Sequence, residues 1–389
     1  MKNSEITSRL TVTVFKRRSI TIKHLIISAF IIIFSLPFAA MAQSPFKAFE
    51  NLFTTPKGYI VSYTKTPPVI DGELNDSGWQ QAVWTADFED IEGDLKPKPP
   101  LQTNVKMLWD DSCLYIAAKI KDPNVWAYLT HHDDIVFRDN DFEVFVNPNN
   151  TTHQYFELEF NAVNTVFDLF LNKPYLNEGN PMINWNAESL RSAVKVQGTL
   201  NNPADTDRGW TIEIAIPFKA ISLGNNVQVP REGSLWRINF SRVEWDTKAV
   251  NGKYVKLTDD RGRNLPEHNW VWSPQGVVDM HLPERWGYLQ FTKSNNIGTF
   301  NLPYHELQKR YLWLVYYHQK LWRRQHNAYS PLLSDFGLDS KVIINNYINK
   351  LQIEATKHQF MALITDEADN VTLTINQEGL IGQLNKIAE

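Results

Sequence analysis

Residues 138–161 read RDNDFEVFVNPNNTTHQYFELEFN. In the first run Phe142, Val144 and Val146 alternate with Glu143, Phe145 and Asn147. In the second, Phe156, Leu158 and Phe160 alternate with Tyr155, Glu157, Glu159 and Asn161. A period of two sends successive side chains to opposite faces, so each run predicts a β-strand with one apolar face and one acid-bearing face. Pro148-Asn149-Asn150 supplies turn residues between them, which makes the pair a hairpin. Glu143, Glu157 and Glu159 then share one side of one sheet.

The pattern repeats along the chain. In NVKMLW, Val105, Met107 and Trp109 share a face; Asp110-Asp111-Ser112 turns, and Leu114, Ile116, Ala118 and Ile120 continue the apolar side. A turn at 161–164 leads to a third strand, TVFDLFL, and later runs set Trp210, Ile212, Ile214 and Ile216 against Glu213, then Trp236, Ile238 and Phe240 against Arg237 and Asn239. Sheets with one apolar face bury those faces against each other. Residues 60–291 therefore predict an all-β antiparallel β-sandwich, jelly-roll or immunoglobulin-like, with a short helix at SGWQQAVW (77–84) closing one end.

After Asn296 the period changes. Leu307, Tyr311, Leu314, Val315, His318 and Leu321 recur at helical spacing within 304–325, and Arg323 and Arg324 fall in the last turn, where positive charge suits the helix dipole. Residues 351–377 read as two strands around TDEADN. Residues 300–389 are thus expected to form a small C-terminal α+β extension.

The N-terminus reads as an export signal. Lys16, Arg17, Arg18 and Lys23 precede an apolar run from Leu25 to Leu36, and Ala40-Met41-Ala42 offers small residues at a cleavage point. Pro37 interrupts the run well short of the roughly 20 apolar residues that span a bilayer. The reading is a signal peptide over residues 1–42, cleaved near Ala42, and a periplasmic or extracellular mature chain without a transmembrane helix. The whole chain has 39 basic and 43 acidic residues; without residues 1–42 it keeps 33 and 42, a formal charge of −9. That sign gives no drive toward phosphate backbones, and nucleic acid is excluded as a partner. Cys113 is the single cysteine, so no intrachain disulfide forms, and its strand context reads as a buried, inert thiol.

The sequence lacks a phosphate-cradling glycine loop and a Gly-x-Ser-x-Gly elbow, and His305-Glu306 lacks the second histidine of a zinc-protease helix. Three readings of the acids remain. Glu157 and Glu159 have Cα atoms roughly 6.6 Å apart, near the carboxyl spacing of inverting glycosidases. Acids on one strand project in parallel, however, so a hydrolase needs an opposing group such as Glu213. The second reading is metal binding: Asp139-Asn140-Asp141 with Asn147 and Asn149 offers hard oxygens for a structural calcium, although Asp and Asn equally furnish β turns. In the third, carboxylates and amides meet sugar hydroxyls while flat aromatics cover sugar C–H patches; the chain's 13 Trp, 14 Tyr and 21 Phe suit that face as well as a core.

Five motifs in order, PPVIDGELNDSGW (67–79), VKMLWDDSCLYIAAKIKDP (105–123), DNDFEVFVNP (139–148), GWTIEIAIPF (209–218) and ERWGYLQF (284–291), resemble the family 9 carbohydrate-binding modules. The resemblance implies a sandwich domain of the type attached to xylanases, non-catalytic, binding glucan and xylan chain ends or small sugars, and often carrying structural calcium; no cofactor is required. It places Glu143 at a family acid that bonds sugar hydroxyls and Asn161 at a polar position on the next strand. The two clamp tryptophans fall at Phe137 and near Met280, and a family arginine falls on Glu159. Each such loss of tryptophan forgoes about 1.2 kcal/mol for roughly 50 Å² of apolar contact. Trp270, on one face of NWVWSP with Trp272, and Arg261 in the preceding polar loop are candidates to compensate.

The expected protein is an exported, non-catalytic carbohydrate-binding sandwich whose sugar contacts are Phe137, Glu143, Glu159, Asn161, Arg261 and Trp270. Two rivals stay open: a glycoside hydrolase acting through Glu157 or Glu159 with Glu213, and a ligand-less assembly module docking a protein partner through the aromatic helix at 304–322.

Overall fold

A computed structural model describes residues 44–224, 226–294, 298–368 and 371–384. The proposed export signal at 1–42 lies outside the described residues. The first strands are β1 (Gly58–Tyr63), β2 (Glu89–Asp90), β3 (Thr103–Trp109) and β4 (Cys113–Ile120). The acid-bearing hairpin follows as β5 (Asp141–Asn147) and β6 (Tyr155–Asn161), then β7 (Val166–Leu171), β8 (Pro181–Met182), β9 (Arg191–Val196) and β10 (Trp210–Pro217). Next come β11 (Leu235–Glu244), the small ribbon of β12 (Thr247–Val250) and β13 (Lys253–Lys256), β14 (His268–Val271) and β15 (Gly287–Thr292).

Most of these strands join one sheet, in the order β8-β7-β6-β5-β11-β15-β1-β3-β4-β10-β9. It curls on itself so that its two halves face each other. Phe142, Val144, Phe156, Leu158 and Phe240 from one half and Val105, Met107, Ile116, Ile212 and Ile214 from the other share one buried core. The alternating positions read from the sequence are the residues that meet there. The mid-curl strand departs from the antiparallel expectation. β1 runs parallel to both neighbours, pairing Gly58–Ser62 with Tyr288–Thr292 and then only Ser62 and Tyr63 with Leu108 and Trp109. Two pairs make a narrow seam, and there the sheet folds over.

Residues 77–84 do not form the expected α-helix: a single 3₁₀ turn covers Ser77–Gln81. Glu213 on β10 is the reason. Its Oε1 accepts the Trp79 indole N–H at 2.6 Å, and its Oε2 accepts the N–H of Gly72 at 2.8 Å and of Asp71 at 3.1 Å. Gly72 has φ +86°, and a Cβ there would lie 2.8 Å from the Val194 carbonyl carbon, so the turn needs glycine.

The chain continues into α1 (Tyr304–His326) and an antiparallel meander of β16 (Lys341–Ile344), β17 (Tyr347–Ala355), β18 (Phe360–Asp366), β19 (Thr372–Asn376) and β20 (Ile381–Leu384). Leu312, Trp313, Val315, Tyr316 and Tyr317 of α1 are buried with Leu351, Ile364 and Ile375 of the meander and with Phe49 and Phe53 from the N-terminal turn Lys47–Phe53. The helix is also tied to the sandwich: the Arg237 Nη2 meets Glu306 Oε2 at 3.1 Å, and the Tyr317 hydroxyl donates to Glu284 at 2.7 Å. The aromatic side chains read as a docking face are therefore already covered by the chain itself. Among the described residues no helix is long and apolar enough to cross a membrane.

Candidate functional site

The outer face of the β5–β6 hairpin forms the floor of a cavity of about 380 Å³. Glu143 stands directly across from Glu159 in the ladder, and Phe145 across from Glu157. The three acids therefore rise side by side from one ply, as the period-two pattern required. Loops cover this face more than alternation alone could tell: Glu143, Glu157 and Glu159 are only 5%, 5% and 3% exposed. Val271, Met280 and Trp286 pack with Phe145, Tyr155 and Leu169 to form a second apolar cluster beside the acids.

Two aromatic rings stand on the rim. Phe137, on the short turn Val136–Arg138, is 37% exposed, and Tyr175, on the turn Tyr175–Asn177, is 43% exposed. Phe137 is held from both sides of its peptide: its N–H donates to Glu159 Oε2 at 3.0 Å, and its carbonyl accepts the Trp245 indole N–H at 2.8 Å. Tyr175 packs edge-on to His281 at 4.5 Å between ring centres, and His281 Nδ1 lies 2.9 Å from the Tyr155 hydroxyl. Met280 lines the cavity beside His281.

Burial and mutual repulsion set the charge state of the floor. Burial first, then interaction with the other acids, holds the carboxyls of Asp141, Glu157 and Glu159 well above their ordinary range; burial pushes Glu143 up to about 7. Burial lowers His281 to about 4, so its imidazole is neutral near neutrality. Carboxyls that share protons can donate as well as accept, which matches the mixed demand of a polyol.

The other expected contacts separate from this group. Asn161 is fully buried and its amide is spent within the protein: Nδ2 donates to the Leu129 carbonyl and Asp139, while Oδ1 accepts the N–H of Val163 and of Thr165. It is a structural tie. Trp270 is 5% exposed beneath the Arg242 guanidinium at 5.1 Å, and it lines a neighbouring cavity of about 670 Å³ with Trp245 and His268. The two cavities share Ile91, Glu267, Asn269 and Val278. Arg261 is exposed in a turn organised by Asp259 and lines neither cavity. Tyr175 and His281 escaped the sequence reading because they sit in loops without periodicity; the sole signal was an aromatic ring in a loop.

The hydrolase pairing is corrected by Glu213. It lies on β10 in the other half of the sheet, and both its oxygens are committed to Trp79, Gly72 and Asp71. In the turn read as a candidate calcium site, most side-chain oxygens are engaged by the protein. Asp139 Oδ2 accepts three hydrogen bonds, Asn140 Oδ1 accepts the Trp245 N–H, and Asn147 Oδ1 accepts the N–H of Asn149 and Thr151. The Asp139 and Asn140 oxygens are taken by donors from distant segments and the Asn147 oxygen by its own turn, whereas Asp141 Oδ2 is buried without a hydrogen-bond partner.

Residues 70–289 match a protein-family model described as carbohydrate family 9 binding domain-like. Among curated proteins, the chain is 28% identical over 172 residues to endo-1,4-beta-xylanase A of Thermotoga neapolitana, covering 42% of this chain and 14% of the xylanase. It is 26% identical over 160 residues to exoglucanase XynX of Acetivibrio thermocellus, covering 41% of this chain and 12% of that enzyme. The chain thus spans about one-seventh or less of the length of these relatives. Among solved structures, a family 9 carbohydrate-binding module of Caldicellulosiruptor kristjanssonii in complex with cellotriose aligns with a TM-score of 0.37 at 17% identity, over 63% of this chain and all of that one.

Proposed function

The chain belongs to the carbohydrate family 9 binding domain-like family, and from that premise we propose that the cavity above Glu143, Glu157 and Glu159 binds an oligosaccharide or a polysaccharide chain end. The family is a non-catalytic carbohydrate-binding module. The observation that carries the placement is the pairing of a carboxyl floor with two exposed rings, Phe137 and Tyr175, on the rim of one cavity. Floor carboxyls meet hydroxyls and the rings cover C–H patches. The continuous neighbouring cavity lined by Trp245 and Trp270 extends the surface beyond one sugar unit.

The relatives' printed names make β-1,4-linked xylan and glucan the first chains to test, in a protein serving polysaccharide breakdown. Residues 1–42 are read as the export signal that delivers it to the periplasm or beyond. Calorimetric titration with xylo- and cello-oligosaccharides is the direct test. Glu143→Ala should abolish binding while the melting temperature does not fall. Full affinity in that variant would move the ligand off this floor.

A further inference from the structure

The alternation of β7 puts Asp168 on the core side of its strand. It stands across from Leu158 in the ladder, and Val166 and Phe170, two residues either way, pack into the shared apolar core. Its carboxyl is therefore on the opposite face of the sheet from Glu143, Glu157 and Glu159. Asp168 is 2% exposed, and only one of its oxygens is used. Oδ2 accepts the Ala187 N–H at 2.5 Å, while Oδ1 is buried without a hydrogen-bond partner. A buried carboxylate oxygen left unmet is costly, and it calls for a partner that the chain does not supply.

That oxygen faces a small constellation at the edge of the sandwich. His132 Nε2 is 3.5 Å from Asp168 Oδ1 and 3.5 Å from Asp133 Oδ1. A ligand atom from each of the three residues lies within 4.8 Å of the others. A hydrogen-bonded pair of imidazolium and carboxylate would close to about 2.7–2.9 Å. Neither acid does so, because the ring nitrogen is spent on Asn186 Oδ1 at 2.7 Å. The spacing suits a shared ion instead: donors bound to a tetrahedral zinc at about 2.0–2.2 Å stand about 3.3–3.6 Å apart. The Asp133 N–H donates to the Val166 carbonyl at 3.0 Å, which fixes the His132 loop on β7 beside Asp168. One imidazole with two carboxylates favours a cation such as zinc, whereas calcium takes oxygens alone. The His132 and Asp133 side chains are 51% and 39% exposed, so an ion has a way in.

We propose that His132 Nε2, Asp133 and Asp168 Oδ1 bind one divalent cation of the zinc class, with the Asn186 amide oxygen beside the fourth position. The site shares no residue with the cavity on the other face, and it stands whatever that cavity holds. The full chain, stripped with EDTA and dialysed, is titrated with zinc chloride by calorimetry, and its thermal unfolding is followed with and without zinc. A site that depends on His132 is expected, with a raised melting temperature when it is filled. Changes just outside a metal's ligand shell already cost roughly 10–100-fold in affinity, so His132→Ala and Asp168→Asn should each weaken zinc binding by about tenfold or more. His132→Ala alters an exposed side chain and carries the test should Asp168→Asn fail to fold. His131→Ala, at the exposed neighbouring histidine, should leave the affinity unchanged; an equal loss there would place the ion away from Asp168 and overturn the site. Absence of heat and of any melting shift up to millimolar zinc would overturn it, and so would full affinity in folded His132→Ala. Release of the zinc by equimolar calcium would overturn the choice of ion.

Discussion

Glu143 and Glu213 look alike in the sequence, each a single acid between apolar neighbours in a strand, yet they do opposite work. Glu213 accepts three hydrogen bonds and pins a turn; Glu143 faces other acids. Glu213→Ala leaves buried donors unmet at about 1–3 kcal/mol each, so a large drop in melting temperature is expected. A melting temperature unchanged by that substitution would contradict the pinning role. Alternation told which face each acid occupies, but the loops covering that face come from distant segments and left no local signal. His281 carries a pH prediction. Around it stand the Tyr155 hydroxyl, the Glu157 carboxyl at 3.9 Å, the Tyr175 and Phe145 rings and, on its own backbone N–H, Asp279. Its folded pKa, lowered by burial to about 4, lies below the ordinary 6.5, so the unfolded chain binds the extra proton first as pH falls. Acidifying from pH 7 to 5 should cost on the order of 1–2 kcal/mol through this residue. His281→Gln should remove that share, read as the difference between the pH profiles of the two proteins' denaturation midpoints.

At the scale of elements, the helix was legible and its surroundings were not. Periodicity placed a stripe on Leu307, Tyr311, Leu314, Val315, His318 and Leu321, but Leu321 is 43% exposed while Trp313, Tyr316 and Tyr317 off the stripe are buried. A helix packed on more than one side does not obey a single stripe. Glu306, in its first turn, is a junction: Arg237 and Tyr288 meet its Oε2, and Asn150 and Lys309 its Oε1. Burial alone would raise this carboxyl, but Arg237 and Lys309 bring it below the ordinary carboxylate range. Glu306→Gln strands the buried Arg237 guanidinium and should cost about 3–5 kcal/mol in chemical denaturation. A loss below about 1 kcal/mol would show that the junction is solvated instead.

Across the whole molecule, the strand alternation announced a sandwich, but the parallel placement of β1 was beyond its reach, since periodicity carries no direction. Nor did it show that Phe49 and Phe53, ahead of the sandwich, join the core built on α1. A chain ended at Ser294 would lose α1 and the meander, leaving those two rings and the buried Arg237 uncovered. Such a chain should aggregate in size-exclusion chromatography and bind sugar poorly for want of folded protein. A monodisperse peak with full binding would show that the sandwich stands by itself.

The narrow seam at β1 carries a consequence for biogenesis. Gly58 finds its neighbour Tyr288 only after 230 further residues have been made. A ribosome therefore releases β3 to β14, strands of both half-sheets, before β1 has its mate in β15. Closure of such distant contacts is slow. The seam therefore closes last, once the final sandwich strand has emerged.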